Sequence, residues 1–258
     1  LVKNYLNGEF LMSRPSFSDD YGGNYLLIEP GEFRMGDLVG DGLDRELPVH
    51  NVIISRPFFI GERLVTQAHW SAVMDSNPSK FSGGWSAGLQ PVERISWTDA
   101  NEFISTLNEL TKDVVNLGLK GIWRLPTESE WEFVARSGTD SKWCFGNLDS
   151  NLDDYGWHAG NSGASPNVVG QKKPNEWGIL DIYGNVSEWC EDDFSANYDK
   201  KDSSQNAQTF TESELKVHRG GSWFTESDST RSSARNKASK NSRSDGIGLR
   251  LVWEPIDS

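Results

Sequence analysis

From residue 141 onward the chain shows no sustained helical or strand periodicity, yet this stretch holds Trp143, Trp157, Trp177, Trp189, Trp223 and Trp253. Gly, Asn and Asp fill much of the space between them. Such a segment cannot supply long stacked helices or a regular barrel. It folds only if large rings pin irregular backbone in place and buried polar groups find partners. The chain has 258 residues, 36 % hydrophobic and 11 % aromatic. That is enough for one real core and unlike a disordered composition.

The first half is more regular. Residues 1–25 read as an irregular lead-in. NYLLIEPGEFRMGD follows as strand–turn–strand around Pro30–Gly31, and NVIISRPFFIGERLVT is β-rich. Thr66 suits the N-cap of a helix over TQAHWSAVMD. In SWTDANEFISTLNELT, Ala100, Phe103, Ile104, Leu107 and Leu110 recur at three and four residues, a helical stripe with Ser96 or Thr98 as its cap. RLPTESEWEFVARSG opens on a Thr127–Glu130 capping box and stops at Gly138. Short strands are expected at KVHRGGSW and IGLRLVW. The class is α+β, in one domain over 26–258.

Net charge is −13, which argues against affinity for nucleic acid or anionic membrane. No apolar run approaches the roughly 18 residues of a membrane helix. A surface location is the expectation if a signal or lipid anchor precedes Leu1. Cys144 and Cys190 either pair or remain buried thiols, and no CxxC metal site exists. The acidic runs CEDDF (190–194) and SDD (18–20) read as solvated surface, and His50 as a structural hydrogen bonder.

The ordered phrases FRMG (33–36), ELPVH (46–50), PFFIGERLVT (57–66), PVERISWTDA (91–100), RLPTESEWEFVARSG (124–138), GILDIYGNVSEW (178–189), RGGSW (219–223) and IGLR (247–250) together resemble the formylglycine-generating enzyme, or sulfatase-modifying-factor, family. The resemblance implies a compact C-type-lectin-like fold with few regular elements. In the family's oxidases two cysteines after RGGS bind copper and the substrate thiol. Those positions fall at about Thr225 and Thr230 here. A hydroxyl replaces neither a soft Cu(I) ligand nor an exchanging thiolate, so no copper and no oxidase activity are expected. The related sulfoxide synthases need two histidines four apart, which His50, His69, His158 and His218 do not provide. GxSxG, P-loop and GxGxxG motifs are missing as well, and so are the EPN, QPD and WND signatures of calcium-dependent sugar binding. The family's GN-x-x-EW phrase implies a structural calcium site at Asp181, Gly184, Val186 and Glu188, a set of carboxylate and carbonyl oxygens suited to a hard cation.

Between Trp223 and Gly248 the residues are mostly Ser, Thr, Asn, Asp, Lys and Arg, largely what adenine changes in Asn codons produce. Set in a C-terminal RGGSW…IGLR frame over about 219–250, this composition resembles the variable proteins of diversity-generating retroelements. The implied framework is Arg219, Gly220, Gly221, Ser222, Trp223, Arg231, Ala234, Arg235, Gly248 and Arg250. The implied display positions are Phe224, Thr225, Ser227, Asp228, Ser229, Ser232, Ser233, Asn236, Lys237, Ser239, Lys240, Asn241, Ser242 and Ser244. Arg219, Arg231, Arg235, Lys237, Lys240, Arg243 and Arg250 outnumber Glu226, Asp228 and Asp245, so a basic face for an anionic or polar partner is expected. The expected function is non-catalytic capture of a protein or surface ligand. The alternatives are a divergent sulfatase-modifying enzyme or an inactive homologue that binds sulfatases.

Overall fold

The computed structural model describes residues 14–198 and 213–256, together with the backbone of 3–6 and 9–12. Its strands are β1 (Lys3–Leu6), β2 (Glu9–Met12), β3 (Ser16–Ser18), β4 (Asn24–Ile28), β5 (Gly31–Met35), β6 (His50–Ile54), β7 (Phe58–Gly61) and β8 (Gly121–Arg124). They continue as β9 (Gly156–Trp157), β10 (Tyr183–Gly184), β11 (Ser187–Asp193), β12 (Leu215–Arg219), β13 (Arg235–Ser239), β14 (Ile247–Gly248) and β15 (Val252–Pro255). The helices are α1 (Gln67–Met74), α2 (Trp97–Thr111), α3 (Glu128–Arg136) and the single turn α4 (Leu152–Tyr155).

Two larger sheets organise the molecule. One has the order β3-β4-β7-β15-β8 and the other β13-β12-β11-β14, while β1-β2, β5-β6 and β9-β10 pair separately. Helix α3 packs against β5, β11 and β12, and α2 against β8 and α1. Helices α1, α2 and α3 each begin where the sequence places a cap, while the single turn α4 has no side-chain cap. Thr66 Oγ1 accepts the His69 N–H, and Ser96 forms a reciprocal box with Asp99. Thr127 does the same with Glu130. Along α2 the predicted stripe is buried at Ala100, Phe103, Ile104 and Leu107, but Leu110 is 52 % exposed because the helix has run past the core. Among the described residues no helix is long and apolar enough to cross a membrane.

Two expectations are corrected. The described residues of 1–25 are not an irregular lead-in: β1 pairs antiparallel with β2, and β3 and β4 form the edge of the five-stranded sheet. The short alternation around Phe17 and Tyr25 explains this, since their rings stack at 5.1 Å on the core side. The acidic run 190–194 is not solvated either, and in SDD (18–20) Asp19 turns inward while Ser18 and Asp20 stay exposed as expected. Residues 190–193 lie in β11, an inner strand of its sheet. Asp192 Oδ2 accepts the Glu128 N–H at 2.7 Å, where the first turn of α3 needs an acceptor. Asp193 pairs with Lys216 at 2.5 Å, and Asp19 accepts the N–H groups of Tyr21 and Gly23 and the Tyr25 hydroxyl. These carboxylates are buried because each has donors waiting for it.

Candidate functional site

The polar stretch after RGGSW is anchored at both ends. Strand β12 ends at Arg219, and Gly220 and Gly221 then turn the chain at φ 91° and 69°. A Cβ on Gly221 would lie 2.8 Å from Thr230 Cγ2, so the turn has no room for a side chain. Trp223 Nε1–H donates to the Asp245 carbonyl at 3.0 Å, and its ring meets Phe81 edge-on at 5.4 Å.

Beneath the stretch the arginines point inward. Arg219 is fully buried between Glu132 and Glu128 and donates to the Ala234 carbonyl at 2.5 Å. Arg235 forks onto Glu128 at 2.6 and 2.7 Å, and Arg231 onto Glu46 at 2.7 and 2.9 Å. Arg250 holds Glu188 at 2.8 and 3.0 Å. Burial alone would raise the Glu128 carboxyl, but Arg235 and Arg219 outweigh it and lower its pKa. Paired forks of this kind fix backbone position because both partners are planar and bidentate.

The expected basic face is therefore corrected. Four of its seven cations are inside the protein. Of the others, Arg243 makes two 2.7 Å bonds to Asp99, whose carboxyl is pulled down to about 2, first by that hydrogen bond. Lys240 pairs with Glu214 at 2.8 Å, and Lys237 lies 4.7 Å from the centre of the Phe194 ring. The outer surface is mainly neutral and polar.

Of the fourteen expected display residues, twelve are partly or fully exposed. Ser232 and Ser233 are corrected: they are 0 % and 4 % exposed. The chain dips inward there, with Ser232 N–H donating to Lys142 O at 2.8 Å and Ser233 Oγ accepting from Arg231. Between the segment 222–229 and strand β13 lies a cleft of about 430 Å³. Phe224, Thr225, Ser229, Asn236, Ser242 and Ser244 contribute to its rim, and Ser222, His218 and Gly246 lie within it. Sequence reasoning does not single out His218. The alternation of β12 is its signal, because Val217 and Arg219 face the core and α3, which turns His218 to the other side.

The sequence model of the sulfatase-modifying factor enzyme 1-like domain matches residues 16–255. The chain belongs to this family. Chaperone protein LppX of Paenibacillus barcinonensis is 31 % identical over 245 residues, covering 78 % of this chain and 81 % of that protein. The formylglycine-generating enzyme of Streptomyces coelicolor is 27 % identical over 293 residues, covering 88 % of each. Among solved structures, variable protein 1 of Treponema denticola superposes with a TM-score of 0.82 at 30 % identity, over 93 % of this chain and 99 % of that one. The α+β, C-type-lectin-like fold is thus that of the sulfatase-modifying factor enzyme 1-like family.

Thr225 and Thr230, about where the resemblance places the oxidases' two cysteines, are closed into local structure. Thr225 Oγ1 accepts from Ser222 N at 2.8 Å and donates to Ser222 O at 3.1 Å. Thr230 Oγ1 accepts from Trp143 Nε1 at 3.0 Å and donates to Ser227 O at 2.7 Å. Cys144 and Cys190 are both free thiols. Burial pushes the Cys144 thiol up to about 11, so it is protonated at neutral pH.

The calcium set of Asp181, Gly184, Val186 and Glu188 does not fit the ion as expected. Both Glu188 oxygens are engaged, by Arg250 and by the Trp131 indole at 2.8 Å. Arg250 also donates to the Gly61 and Leu180 carbonyls at 2.8 and 2.9 Å, so a guanidinium already takes a carboxylate and two carbonyls. Asp181 Oδ2 accepts from Gly170 N at 2.6 Å, and Oδ1 alone is buried without a partner. Of the expected set, that leaves one uncommitted carboxylate oxygen beside the Gly184 and Val186 carbonyls, fewer oxygens than the roughly six to eight a hard cation gathers. EDTA is accordingly expected to leave the thermal midpoint unchanged, and a clear fall would return a metal to Asp181.

Burial instead raises the Asp181 carboxyl to about 6. The native state then binds a proton that the unfolded chain releases near pH 4, so this group favours folding at low pH and loses that effect as pH rises through 6. Between pH 5 and 7.5 the wild type is expected to lose about 1.4 kcal/mol relative to Asp181→Asn. Parallel urea titrations of the two proteins at both pH values measure it, and a constant difference would refute it.

Proposed function

We propose that this protein is a non-catalytic ligand binder that uses the 224–244 face as a diversified display surface. The observation that carries the reading is the division of labour within the stretch. Arg231 and Arg235 point inward and, with the glycine turn at 220–221, fix the backbone, while twelve polar or aromatic side chains remain accessible, six of them around one cleft. Rigid backbone lowers the ordering cost of binding, and Ser and Asn adapt their hydrogen bonds to different partners. Similarity to the Treponema denticola variable protein over 93 % of the chain supports the same reading. The threonines at 225 and 230 argue against the oxidase alternative. A binder of this kind is best placed at the cell surface or beyond, where external ligands are sampled.

The test is to sequence the 3′ end of the gene in many clones of the source and to search the surrounding genome for a near-copy template. Changes confined to template adenines within 224–244, and sparing Ser232 and Ser233, support the reading. A fixed stretch with no template overturns it.

A further inference from the structure

Two polar atoms inside the cleft have no partner. Ser222 is 1 % exposed, and its Oγ makes no hydrogen bond; His218 Nδ1 is likewise buried and unpaired. Buried polar atoms are nearly always satisfied, and leaving one bare is costly. Both residues line the same space. Neither is a display position, so they are common to every variant of the rim.

Their chemistry is complementary. Burial pulls the His218 pKa down to about 4, so the ring is neutral and carries one N–H. With that N–H on Nε2, Nδ1 is an acceptor. Ser222 can donate its hydroxyl proton. A methyl on Gly246 would lie 3.0 Å from Ser222 Oγ and also against the Phe224 ring. Hydroxyl and ring therefore both border the space beside Gly246.

On the reading that this face binds ligands, we propose that the floor of the cleft takes a neutral carboxamide, such as the side chain of Asn or Gln on a partner, whose N–H donates to His218 Nδ1 and whose oxygen accepts from Ser222 Oγ. A carboxylate leaves Nδ1 without a donor, and an ammonium leaves the serine without an acceptor. Phe224 sets access: a small residue at this display position opens the floor, and the ring closes it. Ligand specificity then has two layers, a constant floor that selects the inserted group and a variable rim that selects what surrounds it.

The test is a titration of the intact protein and of Phe224→Ser with acetamide, followed by ¹⁵N spectra of the His218 ring and the Gly246 amide. Acetate and methylammonium are the comparators. Acetamide is expected to shift both signals, more tightly in Phe224→Ser, and about fivefold more weakly when Ser222→Ala or His218→Phe is added. Gly246→Ala in the Phe224→Ser background keeps both polar groups but fills the floor with a methyl crowded against Ser222 Oγ, and it is expected to abolish the shift. Three results overturn the proposal: no response in Phe224→Ser, equal response to acetate, or a response that survives both polar substitutions. Selection of binders from a library randomised at the rim separates the two readings. If binders arise while acetamide fails, the floor is wrong and the display reading stands; if neither succeeds, both fall.

Discussion

Replacing Arg219 with Leu is expected to lower the unfolding free energy by about 3 kcal/mol or more in urea denaturation at pH 7. The guanidinium is fully buried, contacts Glu132 and Glu128, donates to Ala234 O, and lies 5.2 Å from the Trp131 ring centre. Removing it leaves two carboxylates in a dry interior. Each keeps one cation, Arg136 for Glu132 and Arg235 for Glu128, which holds the loss toward the lower end for a broken buried pair. Arg219→Lys is not expected to rescue it, because an ammonium cannot reproduce the planar fork. A loss below about 1 kcal/mol would mean that packing alone replaces the ion pairs.

Ser232→Asp is expected to cost at least about 3 kcal/mol, whereas Ser229→Asp stays within about 0.5 kcal/mol. Ser232 is fully buried and its Oγ lies 3.2 Å from the Tyr183 hydroxyl. That hydroxyl already donates to Ala135 O at 2.6 Å and accepts from Cys144 N at 2.8 Å. An aspartate at 232 brings a charge with no cation to meet it. Ser229 lies at the rim of the cleft, where water screens the same charge. Equal midpoints for the two variants would show that position 232 is open to solvent after all, and would restore it to the display set.

The elements that were legible beforehand are those carried by local rules. Thr66, Ser96 and Thr127 cap their helices as their side chains predict, and the stripe of α2 is buried as far as Leu107. The ordered phrases identified the family because the residues that close tight turns and buried pairs, such as Gly220, Gly221 and Arg250, have few substitutes. What was not legible depends on partners far away in sequence. CEDDF looks like surface until Glu128 N–H and Lys216 arrive to satisfy its carboxylates. The arginines of the C-terminal stretch look like a basic patch until Glu46, Glu128, Glu132 and Glu188 are seen beneath them. Ser232 and Ser222 have the same side chain and similar burial, yet one reaches a tyrosine hydroxyl and the other lines the cleft. Composition cannot separate them.

The clasp between Trp223 and residue 245 has a wider consequence. The indole bonds to a main-chain oxygen, not to the Asp245 carboxylate, so the link is indifferent to which amino acid stands at 245. It closes a loop of 22 residues, and the entropy of that closure depends on length far more than on what lies between. Variants that differ only in what lies between the two ends therefore start from the same closure cost. Substitutions at the exposed positions of the stretch then change contact chemistry and leave the fold largely untouched.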